Sequence, residues 1–410
     1  MEKTTLFYVI IAILVIQYLI QQLLEYLNAR RFESTVPEEL NDVFDSSEYQ
    51  KSQEYKRANY RFGVFSDGFS LILTLCFLFF GGFEWIDDLT RSLVDKTIPM
   101  ALVFFGIILL GSGILGLPFS YYQTFVIEER YGFNKATKKI FFLDKIKGVL
   151  LATVFGGGLL ALFILFYQWT GPKFWMYAWL LAGTFILFMN LFYSRLIVPL
   201  FNKQTPLSDG NLKSAIEAYA KKVGFELKNI FVIDGSKRST KANAYFSGFG
   251  KEKRITLFDT LINDLDEDEI VAVLAHEVGH YKRKHIIFNL TVSLGLMGLT
   301  LYILSLFINN PEISLAIGVS VPSFHAGLIG FVLLYSPISE ITSLAMNYLS
   351  RKFEFQADDY AKNTFAAKPL ITSLKKLSKN SLSNLTPHPA YVFVHYSHPP
   401  LIERIRNLKA

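Results

Sequence analysis

Seven apolar stretches divide this chain: Leu6 to Leu24, Phe65 to Phe83, Pro99 to Leu117, Val149 to Trp169, Phe174 to Leu196, Ile286 to Ile308 and Phe324 to Leu344. Each can cross a hydrocarbon core of about 30 Å as a helix. The first exceeds the apolar region of a secretory signal, about 7 to 15 residues, and no small-residue cleavage site follows it, so it reads as a retained anchor. Two segments between and after the spans mix polar and apolar positions instead, Pro199 to Lys284 and Ser350 to Ala410. In the first, Leu212, Ala215, Ile216, Tyr219 and Val223 recur at helical spacing ahead of Gly224. Ile230 to Ile233 reads as a short buried strand. Asn243 to Phe249 and Arg254 to Phe258 read as an antiparallel hairpin turning near Gly248 and Gly250. An exposed edge there can bind an extended peptide by strand addition.

The pattern predicts a polytopic α-helical membrane protein carrying a small α+β unit split by a membrane hairpin. Its expected organisation is a five-span bundle over residues 1–198, the first part of the unit over 199–285, the hairpin over 286–348 and the rest of the unit over 349–410.

Composition agrees: 51% of residues are hydrophobic and the mean hydropathy is +0.31. The net charge of +6 comes largely from alternate loops, with Arg30, Arg31, Lys51, Lys56, Arg57 and Arg61 after the first span and Arg130, Lys135, Lys138, Lys139 and Lys145 after the third. The loop from Asn309 to Ser323 has no lysine or arginine. The positive-inside rule then places the N-terminus outside, the C-terminus in the cytosol and the α+β unit on the cytosolic side. No basic stripe interleaves with aromatics on a soluble module, which argues against a nucleic-acid partner.

The chemistry is concentrated at His276-Glu277-Val278-Gly279-His280. On a helix, positions i and i+4 share a face, so both imidazoles can reach one tetrahedral Zn²⁺ while Glu277 stands over the open coordination position. Glu277 is then the general base for peptide hydrolysis. Acidic residues 266 to 269 and the apolar Ile270, Val273 and Leu274 support the helix. Lys282, Arg283 and Lys284 lie between it and the sixth span and read as interfacial anchors. His285 is five residues beyond His280 and, on a continuing helix, rotates away from the metal face. A catalytic zinc wants a third protein ligand. Arg351 to Asp358 offers Glu354 and Asp358 at i and i+4, so that one carboxylate can bind the metal and the other orient a metal-bound histidine. A solvated charged helix after a span accounts for the same spacing.

With these residues the chain resembles the Ste24 type of CAAX prenyl proteases among the M48 metallopeptidases. The likeness extends over nearly the whole chain. It rests on Ile127-Glu128-Glu129-Arg130-Tyr131-Gly132-Phe133-Asn134-Lys135, Pro199-Leu200-Phe201-Asn202-Lys203, the HExxH helix, Phe353-Glu354-Phe355-Gln356-Ala357-Asp358 and the tail Tyr396 to Arg404 with Ser397-His398-Pro399-Pro400. The resemblance implies that Glu354 is the third zinc ligand, that seven helices enclose a chamber faced by a zincin-like site, and that Asn243 and Ala244 belong to a substrate-binding edge strand. It also places His398 and Arg404 at the active site, where both can donate hydrogen bonds to a developing oxyanion. Asp358 takes the role of orienting a zinc-bound histidine.

The expected function is a membrane zinc endopeptidase cutting near the C-terminus of CAAX-type, prenylated proteins or peptides, with one Zn²⁺ per chain and membrane lipid as its surroundings. The competing reading is a quality-control protease of broader specificity, like the HtpX branch of M48. The tail Arg406-Asn407-Leu408-Lys409-Ala410 carries no dilysine-type or KDEL-like signal. Both the endoplasmic-reticulum membrane and a bacterial cytoplasmic membrane therefore remain as locations.

Overall fold

A computed structural model describes residues 4–32, 36, 38–227, 229–247 and 254–410. Among them, six helical runs are long and apolar enough to span a membrane: Thr5–Ala29, Ser46–Phe79, Thr97–Glu128, Lys138–Phe201, His285–Phe307 and Phe324–Thr364. The fourth contains two of the expected spans. It turns at Gly171–Lys173, where Gly171 takes a left-handed φ of +56°, and Phe174–Leu196 folds back onto Gly158–Thr170. The second expected span is displaced, since its helix starts at Ser46 under an Asp45 cap, runs well ahead of the apolar stretch and stops at Phe79 before Gly81, φ +70°. Asp45 and Glu48 cap each other's backbone there, so a polar helix extends the apolar one without a break. The most apolar window of each run is only 6 to 17% buried. Most side chains in those windows are therefore at least partly exposed at the surface of the helices.

The soluble unit is built on a four-stranded sheet of order β1-β2-β4-β3, with β1 Gln204–Pro206, β2 Asn229–Ile233, β3 Ala244–Ser247 and β4 Arg254–Phe258. β4 pairs in parallel with β2 and antiparallel with β3, which leaves β3 at an edge. The antiparallel pairing is the one expected; its turn at Gly248 and Gly250 lies outside the described residues. β1 and the parallel pairing were not expected, because a three-residue strand and a crossover have no local signature.

One core joins the segments on either side of the membrane hairpin. Ile255 and Leu257 of the sheet, Val271 and Leu274 of the HExxH helix, and Leu370 and Leu408 from beyond the hairpin are buried together. Burial of that apolar surface holds the two parts as one body.

Candidate active site

The HExxH helix, Glu267–Lys282, starts at Asp266, whose N–H donates to Glu269 at 2.8 Å, and Lys376 holds that carboxylate from the neighbouring helix at 2.8 Å. It packs against the last membrane helix, Phe324–Thr364, which continues beyond its apolar half to carry Glu354 and Asp358. Gly279 is the contact point. A Cβ there would lie 3.0 Å from Ala357 Cα and 3.1 Å from its carbonyl oxygen, so the two helices approach this closely only because position 279 is glycine.

That approach brings His276, His280 and Glu354 together. Their candidate ligand atoms all lie within 4.8 Å of one another. His276 Nε2 and His280 Nε2 are 3.2 Å apart, and Glu354 oxygens stand 3.4 and 3.2 Å from them. A tetrahedral ion with ligands at 2.0 to 2.1 Å has edges of about 3.3 Å, so the donor set fits such an ion. Glu354 Oε2 is buried without a hydrogen-bond partner, as an oxygen reserved for a cation would be.

The outer nitrogens of both histidines are engaged. His276 Nδ1 is 2.8 Å from Asp358 Oδ1, and Asp358 is fully buried. Arg404 clamps Asp358 with two bonds of 2.8 and 2.6 Å. The Nδ1 proton of His276 therefore points to Asp358 and its Nε2 lone pair to the metal position. Burial opposes protonation of His276, but the hydrogen bond to Asp358 and the Glu354 carboxylate beside it outweigh that and raise its pKa to about 9 in the metal-free chain. Burial pushes the Glu277 carboxyl above its usual range against the pull of both neighbouring histidines. A half-buried carboxyl with raised basicity suits a proton acceptor.

His285 departs from expectation. The helix breaks at Lys284, φ +61°, and the imidazole folds back beneath His280 instead of rotating away. Its Nδ1 lies 3.1 Å from His280 Nδ1 and its Nε2 2.9 Å from Gln356 Oε1, with the ring stacked on Phe353 at 4.2 Å. Gln356 Oε1 can only accept, so His285 carries its proton on Nε2 and receives one from His280, leaving His280 Nε2 for the metal. Spacing could not reveal this, since it assumes an unbroken helix. His285→Ala is expected to weaken metal affinity roughly 10- to 100-fold. A chelator titration checks it, and unchanged affinity would remove His285 from the site.

Glu277 and His398 share one cavity of about 430 Å³ with Asn243, Ala244, His276 and Glu354. His398 is exposed at its mouth, with Nε2 3.3 Å from Glu354 Oε1. Loss of water on its cavity-facing side lowers the pKa of His398 against the opposing pull of Glu354. Arg404 also lines the cavity, yet two of its donors are spent on Asp358 and a third nitrogen stands 3.5 Å from Glu354. Phe258 N–H donates to Asn243 O at 3.1 Å, so by antiparallel alternation the next residue, Ala244, turns its N–H and C=O to the open edge. That N–H is covered by Asn243 Oδ1 at 2.8 Å. His325, His388 and His395 lie elsewhere: His325 is buried against Asp87 at 2.6 Å, and His388 caps the helix Pro389–His395.

A multi-span helical bundle that presents a His-His-Glu donor set beside a half-buried glutamate defines a membrane metallopeptidase. Comparisons give the lineage. Residues 25–203 match the family described as CAAX prenyl protease N-terminal, five membrane helices, and residues 206–410 match peptidase family M48. This chain belongs to peptidase family M48. It is 39% identical over 398 residues to a CAAX prenyl protease 1 homolog of Dictyostelium discoideum, covering 93% of this chain and 92% of that one. It is 35% identical over 440 residues to the Homo sapiens homolog, covering 96% and 93%. The crystal structure of S. mikatae Ste24p aligns with a TM-score of 0.93 at 35% identity over 100% of both chains. Matches of this extent, including the five-helix N-terminal part, do not favour the HtpX-like alternative.

Proposed function

We propose that this chain is a zinc endopeptidase that cleaves near the C-terminus of CAAX-type, prenylated proteins and peptides. The observation that carries the reading is the convergence of His276, His280 and Glu354 in one cavity with Glu277 and the edge residues Asn243 and Ala244. Zinc is favoured over other ions by two imidazoles and one carboxylate at tetrahedral spacing. When bound by these three side chains, it supplies the Lewis acidity that polarises a peptide carbonyl and lets water act as a nucleophile near neutral pH.

The chain's own residues do the rest. Glu277 accepts the proton of the attacking water and can return it to the departing amine. His398 reaches the cavity from its mouth and donates to the oxygen of the tetrahedral carbon. Arg404 is better read as a positioning residue than as the expected oxyanion donor, because its donors hold Asp358, which holds His276. Ala244 offers its outward N–H to a substrate carbonyl once Asn243 releases it, so a peptide can add as a further strand.

The substrate class rests on the names of relatives that cover more than nine-tenths of the chain. Any preference for the lipid should come from the membrane helices. Purified protein is expected to cut a farnesylated CAAX peptide at a single position read by mass spectrometry, and its unprenylated twin more slowly through a higher KM. An intact CAAX peptide beside other peptides that are digested would sink the substrate reading but not the enzyme class. The basic loops favour a cytosolic active site, in either candidate membrane. An impermeant reagent that labels a C-terminal tag on intact cells would reverse that orientation.

A further inference from the structure

The stretch Glu128 to Lys135 of the membrane bundle takes no part in the chemistry above, yet it docks onto the residues that lead into the edge strand. Lys135 N–H donates to Arg238 O at 3.0 Å, Thr240 N–H donates to Phe133 O at 3.1 Å, and Asn134 and Ser239 form an antiparallel bridge. Arg238 grips Asp144 of the helix Lys138–Leu151 with bonds of 2.7 and 2.9 Å. Lys241 closes the contact. Its Nζ lies 3.1 Å from Glu128 Oε2, donates to Tyr55 Oη at 3.1 Å and stands 4.4 Å from the centre of the Phe133 ring. Tyr55, on the helix Ser46–Phe79, donates in turn to Glu128 Oε1 at 2.6 Å. Residues 238 to 241 are thus held by three parts of the membrane bundle, directly ahead of Asn243.

An edge strand is located only by its one partner and by where its chain begins. The geometry points to Glu128 and Lys241 as positioning residues for the substrate: their ion pair sets where β3 starts, and so the register in which a peptide backbone meets Ala244. This rests on the strand-addition reading given above. Neither residue lines the catalytic cavity, so the pair acts on peptide binding rather than on bond cleavage. Lys241 is 40% and Glu128 19% exposed, and a part-exposed pair contributes little to global stability. Its loss is therefore felt locally.

The test measures kcat, KM and metal content on one defined peptide and on the same peptide N-methylated along the backbone beside the cleaved bond. Lys241→Met and Glu128→Gln are each expected to raise KM roughly five- to tenfold, with kcat within about twofold and metal content unchanged. Lys241→Arg, which keeps the cation, should keep the wild-type KM. A KM unmoved in both variants, a loss confined to kcat, or an arginine variant as impaired as the methionine one overturns the proposal. If N-methylation also leaves KM unmoved, strand addition itself is wrong and the positioning role goes with it. If N-methylation raises KM while both variants bind normally, strand addition stands and only the role of this pair is lost.

Discussion

Glu277→Gln is expected to keep its metal and its fold while hydrolysing peptide roughly 10²- to 10⁴-fold more slowly, the range that a positioned general base contributes. Glutamine has the shape of glutamate but no basicity to take a proton from water. Glu277 is not in the His276, His280 and Glu354 donor set, so metal content should not change. The separation of metal binding from turnover makes this variant diagnostic. A glutamine variant that retained even a tenth of wild-type kcat would place the base elsewhere.

Glu354→Ala should fail differently, losing the metal first and activity as a consequence. Without the carboxylate the set falls to two imidazoles, below the three protein ligands of a catalytic site. Asp358 cannot replace it, since its two oxygens are committed to Arg404 and His276. We expect metal content near zero after dialysis and no detectable cleavage. Adding excess zinc should restore at most a trace. Full occupancy with wild-type turnover would mean that some other group completes the set.

The apolar runs and the HExxH spacing were legible in the sequence because each depends on local periodicity. The span pattern located Phe174–Leu196 and His285–Phe307 to within a residue. Other helices outrun their apolar stretches, most of all Phe324–Thr364 and Ser46–Phe79, the latter with limits set by capping at Asp45 and the glycine at 81. At the site, local spacing placed His276, Glu277 and His280 on one helix, but only resemblance singled out Glu354 and His398, which approach across long separations in the chain. His285 was misread for a definite reason: the left-handed Lys284 turns it back, and a lysine gives no warning of a left-handed residue. Arg404 was visible as a residue of the site, yet its commitment to Asp358 is a tertiary fact. The reason for Gly279 is of the same kind, since nothing local shows that Ala357 will press against it.

The last membrane helix has a bearing on biosynthesis. It is 41 residues, about 60 Å, long, and bears Glu354 and Asp358 on its far half, while His276 and His280 precede the hairpin. A growing chain therefore exposes the two histidines before either of the last two spans has left the ribosome. The third donor, its buried neighbour and Arg404 arrive only after both have been threaded into the bilayer. Chains stalled or misinserted at that stage hold an incomplete donor set, so hydrolytic competence becomes a report that membrane integration is finished.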